Sequence, residues 1–197
     1  HHFSMSLLQS WPHLDGALGM QLTDALFDLC KSAKRPIVAI DGRAGAGKTT
    51  LAEHLSAALS LKYKTHTLHM DDLYNGWENA FDHHLTDALT LAAKAHQISE
   101  KYSLATFNWG SNTFNQPAEV SQAELLILEG VGSSQASIRP FLTASIWIDI
   151  DAEAGLVRVL NRDGDAISAQ MQNWLRIQEQ HFLDNDSQNA ADFVLSN

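Results

Sequence analysis

The chain has a single cysteine, Cys30, so no internal disulfide can form. Disulfide-stapled scaffolds and zinc modules built on paired cysteines are therefore excluded. Cys30 stands among Leu26, Phe27 and Leu29 and reads as core packing. Cysteine used this sparingly makes the cytoplasm the expected compartment. Long apolar runs are also missing. The longest, such as Leu125–Leu128, cover a few residues, where a membrane-spanning helix takes about 20. Positive charge is scarce as well: 13 Lys and Arg stand against 23 Asp and Glu, a net charge of -10. Binding to a phosphate backbone or an anionic membrane needs clustered cations, so neither nucleic acid nor membrane is an expected partner.

What is present suits an ordinary core. Apolar residues make up 45% of 197 residues, enough for one domain and too many for a disordered chain. His1–Ser4 read as the end of an affinity tag and 5–197 as the domain. Leu14, Leu18, Leu22, Leu26 and Leu29 recur at helical spacing and predict a helix over 14–33. Ile37–Ile40 is a short β-branched run of the kind buried in a parallel sheet. A glycine-rich turn and a helix over 49–59 follow. Strands are then predicted at 65–70, 125–128, 145–150 and 192–195, and helices at 84–98, 152–160 and 168–183. Alternating strands and helices imply an α/β fold, doubly wound, with a mostly parallel sheet of about five strands and helices on both faces. The polar stretch 99–123 reads as a surface excursion, part of a substrate region spanning about 74–123.

Gly42-Arg43-Ala44-Gly45-Ala46-Gly47-Lys48-Thr49 fits G-x-x-x-x-G-K-[ST] at every fixed position, with a strand before it and a helix after it. Backbone N–H groups in such a loop converge on a polyphosphate, and the helix N-terminus adds its dipole. Glycines at 42, 45 and 47 are expected to leave room for the phosphates and to allow positive φ. Lys48 would reach the β- and γ-phosphates and Thr49 a Mg²⁺ ion, with Gly42 to Thr50 as the nucleotide-binding segment. Such a local field lets an acidic protein hold a nucleotide.

Acids stand at two further strand ends, where open α/β sheets bind ligands. Glu129, before Gly130, is expected to orient Mg²⁺. Asp71 or Asp72 is expected to take an alcohol proton, and only one of the two can point straight at an acceptor. Ser133-Ser134 reads as a helix N-cap, Trp174 as core and His181 as a packed or half-exposed ring.

Together the phosphate loop, Met70-Asp71-Asp72-Leu73-Tyr74, Leu126-Ile127-Leu128-Glu129-Gly130 and Arg158-Val159-Leu160-Asn161-Arg162-Asp163 resemble the uridine kinase-like branch of P-loop small-molecule kinases, which includes pantothenate and nicotinamide riboside kinases. The resemblance implies a P-loop NTPase-type fold with a short lid near 158–168. It implies ATP and Mg²⁺ as cofactors and a small-molecule acceptor. It makes Asp71 the base, close to the metal, with Asp72 beside the acceptor and Tyr74 as a wall of its pocket. Arg162 and Arg158 become the lid arginines that close over the transferring group. The lid is shorter than is usual in uridine kinases, and Phe107-Asn108-Trp109 is only loosely similar to their substrate motif. A ring-shaped acceptor is expected to stack on Trp109, Tyr74 or Trp77. The rival reading is a regulatory ATPase or GTPase, or a nucleotide-binding protein without catalysis. None of the seven lysines follows Asn or Thr, so the guanine-reading [NT]-K-x-D pattern is missing.

Overall fold

A computed structural model describes residues 3–6 and 17–196. The main elements in chain order are β1 (Phe3–Ser6), α1 (Ala17–Lys31), β2 (Ile37–Gly42), α2 (Lys48–Leu59), β3 (Thr65–His69) and α3 (His83–Gln97). Four two-residue strands follow: β4 (Ser103–Leu104), β5 (Phe107–Asn108), β6 (Thr113–Phe114) and β7 (Ala118–Glu119). The chain ends with β8 (Leu125–Glu129), β9 (Ala144–Asp149), α4 (Ala152–Asp163), α5 (Ser168–Asn185) and β10 (Phe193–Ser196). Among the described residues no helix is long and apolar enough to cross a membrane.

One six-stranded sheet organises the domain in the order β1-β10-β9-β2-β8-β3, with every pairing parallel. The expected sheet of about five strands thus gains β1 as an edge. That strand includes Phe3 and Ser4, which lie in the segment that reads as a tag. Residues 14–16 of the predicted first helix lie outside the described residues.

Strand side chains alternate between two helical layers. Val38, Ile40, Ile127 and Ile146 join Leu22, Leu26 and Cys30 of α1 and Leu51, Leu55 and Leu59 of α2. Ile37, Ala39, Leu126, Leu128 and Trp147 face the other way, against Leu85 and Leu89 of α3 and Met171, Trp174 and Phe182 of α5. Buried on both faces, the central strands read as continuous apolar runs, which is why the sequence reveals them. Burial pushes the Cys30 thiol up to about 11, in keeping with a packing role.

Two antiparallel hairpins occupy the polar excursion, with β5 paired to β6 and β4 to β7. Arg35 secures its far end, donating to the carbonyls of His96 at the end of α3 and Ala123 before β8. The segment read as a lid is the corner between α4 and α5: the last turns of α4, Gly164 at φ +87°, and a short 3-10 turn over Asp165–Ile167.

Candidate active site

Parallel strands aim their carboxyl ends at one edge of the sheet, and there the predicted residues meet. The loop after β2 folds over the start of α2, with Gly42, Gly45 and Gly47 at φ +145°, +81° and +98°. Positive φ was expected of these glycines. Their lack of a side chain is also needed by the protein's own packing. A Cβ on Gly42 would lie 2.4 Å from the Ile148 carbonyl oxygen, and one on Gly45 would lie 2.3 Å from that of Gly155. Gly42 and Gly45 therefore admit the protein's own backbone, from β9 and α4.

Gly155 reciprocates, since its Cβ would lie 2.4 Å from the Ala44 carbonyl oxygen. This glycine-on-glycine contact seats α4 against the loop. Arg158 and Arg162, one and two turns further along the helix, consequently line the same cleft. Arg158 donates to the Gly45 carbonyl at 3.4 Å, and Arg162 is held by both carboxylate oxygens of Asp163 at 2.8 Å.

The first internal hydrogen bond at the head of α2 runs from Leu51 N–H to the Gly47 carbonyl at 3.0 Å. The N–H groups of Lys48, Thr49 and Thr50 precede it and stand at the positive end of the helix dipole. Two earlier loop amides have protein partners: Ala44 N–H donates to Gln178 Oε1 at 3.1 Å and Ala46 N–H to the Arg43 carbonyl at 3.1 Å. Lys48 is buried, and its Nζ donates to the Arg43 carbonyl at 2.7 Å. Burial pulls its pKa down, while Glu129, Asp41 and Asp71 pull it up. The Arg43 side chain turns away from the loop. It donates to Glu179 at 2.5 Å and to Asp149 at 2.9 Å.

Glu129 is buried at the end of β8, and its Oε1 accepts from the Thr49 hydroxyl at 3.3 Å. Its Oε2 accepts from His69 Nδ1 at 2.6 Å. That bond raises the His69 pKa, against the opposing effect of burial. A threonine hydroxyl beside a carboxylate is a hard-oxygen pair of the kind Mg²⁺ takes. Asp71 and Asp72 sit on a 3-10 turn, Met70–Asp72, directly after β3. Asp71 lies exposed at the cleft, and the walls around its carboxyl still raise its pKa, with Glu129 adding to the rise. Lys48 and Arg162 act in the opposite sense.

Two cavities share these residues. One, of about 390 Å³, is bordered by the phosphate loop, Lys48, Thr49, Glu129 and the two arginines. The other, of about 370 Å³, is bordered by Asp72, Trp77, Trp109 and Met171. Asp71, Tyr74, Arg162 and Trp174 line both. Tyr74 is buried and donates its hydroxyl to the Val131 carbonyl at 2.7 Å. Trp109 Nε1 donates to the Asp71 carbonyl at 3.0 Å. Trp174 belongs to the core, as expected, and also reaches the cavity wall. His181 is a packed ring stacked on Phe81 at 4.3 Å.

Several supporting residues escaped the sequence reading. Asp41, fully buried at the end of β2, accepts from Gly42 N–H at 2.8 Å, Gly132 N–H at 3.3 Å, Ser134 N–H at 3.0 Å and Ser134 Oγ at 2.8 Å. This corrects the reading of Ser133-Ser134 as a helix cap. No helix begins there; Ser134 binds Asp41, and Ser133 donates to the Ile40 carbonyl at 3.0 Å. An acid directly before the first motif glycine was the available signal for Asp41. His69 and Gln178 left no comparable trace, because their partners lie 60 and 134 residues away.

Solved structures share this architecture. A possible uridine kinase from Bacillus stearothermophilus aligns over 89% of this chain and 100% of its own at 21% identity, with a TM-score of 0.62. The fold is that of the P-loop kinases. A candidate fructose transport system kinase from Silicibacter sp. TM1040 aligns over 91% and 99% of the two chains at 19% identity, with a TM-score of 0.71. A candidate P-loop kinase with a circular permutation, from Saccharomyces cerevisiae, aligns over 90% and 98% at 15% identity and a TM-score of 0.52. No family model matches the chain, and no curated protein sequence matches it significantly. At these identities the P-loop kinase likeness is one of backbone, and the chemistry must be argued from the site.

Proposed function

We propose that the chain is a kinase of the uridine kinase-like family, moving the γ-phosphoryl group of ATP to a hydroxyl of a small metabolite of nucleoside type. One observation carries this reading: Asp71 and Arg162 border both the phosphate-loop cavity and the aromatic cavity beside it. A pure nucleotide switch has no need of a second pocket opening onto its γ-phosphate position. The structural neighbours' descriptions, uridine kinase and fructose transport system kinase, both concern hydroxylated small molecules.

The residues divide the work. The opening N–H groups of α2 and the Lys48 ammonium hold the polyphosphate. Thr49 and Glu129 fit a magnesium ion, with His69 fixing the carboxylate's orientation. When bound, that ion neutralises charge on the β- and γ-phosphates. Asp71 accepts the acceptor's hydroxyl proton as its oxygen bonds to phosphorus and the bond to the departing ADP breaks. Its elevated pKa makes it a better proton acceptor than an ordinary aspartate. Arg162 leaves Asp163 to meet charge on the transferring group, and Arg158 supports it. Such arginines are worth roughly 10³–10⁵ in rate. Catalysis is then chiefly positioning and electrostatics.

The test is ADP release measured with and without a panel of nucleosides, sugars and vitamins. Release that depends on an acceptor, and that is abolished in Lys48→Ala and Asp71→Asn, supports the kinase. Release independent of any acceptor identifies an ATPase instead. Full activity in folded Asp71→Asn removes Asp71 as the base and turns attention to Asp72.

A further inference from the structure

One peptide unit of the phosphate loop is held from both sides. The carbonyl of Arg43 accepts from Lys48 Nζ at 2.7 Å and from Ala46 N–H at 3.1 Å. Carbonyl and N–H point opposite ways in a trans peptide. The Ala44 N–H of the same unit accordingly leaves the loop and donates to Gln178 Oε1 of α5 at 3.1 Å. The next residue of α5, Glu179, takes the Arg43 side chain through Nε at 2.5 Å and Nη2 at 3.3 Å, and Asp149 takes Nη1 at 2.9 Å. Gln178 is fully buried, and among the described residues its side chain bonds only to the loop. An apolar residue would fill that place at less cost in desolvation, so packing alone does not account for a glutamine there. One turn earlier on the same face of α5, Trp174 lines both cavities.

We propose that Gln178, with Glu179 beside it, is a positioning residue for Lys48 in phosphoryl transfer, a role that rests on the kinase reading above. By holding the Ala44 N–H outward, Gln178 turns the Arg43 carbonyl into the loop, and that carbonyl fixes the Lys48 ammonium. With three N–H donors, the ammonium keeps this bond and still meets the β- and γ-phosphates. It also covers a carbonyl dipole whose negative end would otherwise face those phosphates. Glu179 and Asp149 keep the peptide unit from turning by anchoring the Arg43 side chain. Because Trp174 stands on the same helix, α5 sets the phosphate loop and the wall of the acceptor cavity in one register. Neither Gln178 nor Glu179 is among the residues that line the two cavities, so both act through the loop and Lys48.

Two measurements on the wild type and Gln178→Met test this. The first is pulse acylation of the ATP-free protein with acetic anhydride, read by mass spectrometry at Lys48 against the exposed Lys94 and Lys101. The expected result is a rise of roughly two- to tenfold in Lys48 labelling, matching the loss of one hydrogen bond's hold. The reactivity of the buried Cys30 thiol, on the other face of the sheet, stays unchanged. The second is calorimetric titration with ATP and Mg²⁺, in which affinity falls by a similar factor. Lys48 labelling at the wild-type rate overturns the proposal, and so does a matching rise at Cys30, which marks general loosening. Unchanged ATP affinity, in a wild type that binds ATP, overturns it as well. If Gln178→Met does not fold, Glu179→Ala, at a partly exposed position, decides in the same terms. If the wild type does not bind ATP, the kinase reading fails, and the labelling alone still judges whether Gln178 holds Lys48.

Discussion

Asp41→Asn alters one atom in a fully buried carboxylate and tests how the phosphate loop is tied to the loop after β8. In the native protein Oδ1 accepts from Gly42 and Gly132 N–H, and Oδ2 from Ser134 N–H and Oγ. An asparagine amide retains one oxygen and presents an NH₂ to two of those donors. Placed on the Ser134 side it does least harm, because the Ser134 hydroxyl can rotate and accept. The Ser134 N–H is then left buried without a partner. That orphan costs about 1–3 kcal/mol, and loss of charge assistance at the remaining bonds adds about 1 kcal/mol. The total of about 2–4 kcal/mol corresponds to a drop of roughly 5–15 °C in Tm for a domain of this size. Differential scanning calorimetry measures it, and Ser134→Ala, which removes one bond and spares the N–H, should cost about 1 kcal/mol. An Asp41→Asn protein within about 0.5 kcal/mol of wild type would refute the reasoning.

Gly45→Ala forces a Cβ to 2.3 Å from the Gly155 carbonyl oxygen at φ +81°; it should destabilise by about 2–4 kcal/mol and weaken ATP binding, seen in thermal melts and titration calorimetry. Wild-type stability there would show that α4 is not seated on the loop as described. His96 is buried and donates Nε2–H to the Pro36 carbonyl at 3.1 Å, and burial, aided by Arg35, holds its pKa at about 4 against an ordinary 6.5. Between those values the unfolded chain binds a proton that the folded chain refuses. Stability therefore falls as pH drops from 6.5 towards 4, by at most about 3 kcal/mol from this group. Urea midpoints for wild type and His96→Gln should converge at acid pH, and parallel curves would contradict this. For Asp71 the raised pKa moves the acid limb of kcat/KM upward from the ordinary aspartate value. A limb near 4 would argue against Asp71 as the base.

The central strands and the phosphate loop were legible because each answers to a local rule. A strand buried on both faces must be apolar throughout, as Ile37–Ile40 and Leu125–Leu128 are. A loop with positive φ at fixed positions must use glycine there, and the lysine and threonine that follow complete a pattern of known chemistry. The hairpins between Ser103 and Glu119 were not legible. Their two-residue strands are mostly exposed and too short for an alternating pattern to stand out in the sequence. Strand β1 is not legible because Phe3 and Ser4 read as tag and its one partner strand, β10, comes from the far end of the chain. In the site, Lys48, Thr49 and Glu129 could be named from strand ends and motif spacing, which left Asp71 and Asp72 open until the family resemblance chose Asp71. Gln178 and Gly155 could not, since each matters through a tertiary partner. For the same reason the room that Gly42 and Gly45 make for β9 and α4 is not legible in the sequence.

Calorimetric titration of ATP with Mg²⁺ into the wild-type protein and into Lys48→Ala bears most directly on the claim that residues 42–50 form a triphosphate site. Saturable one-to-one binding by the wild type, weakened roughly ten- to hundredfold by the substitution, is the expected result. Equal affinity in the two proteins, or no binding by the wild type, would contradict it.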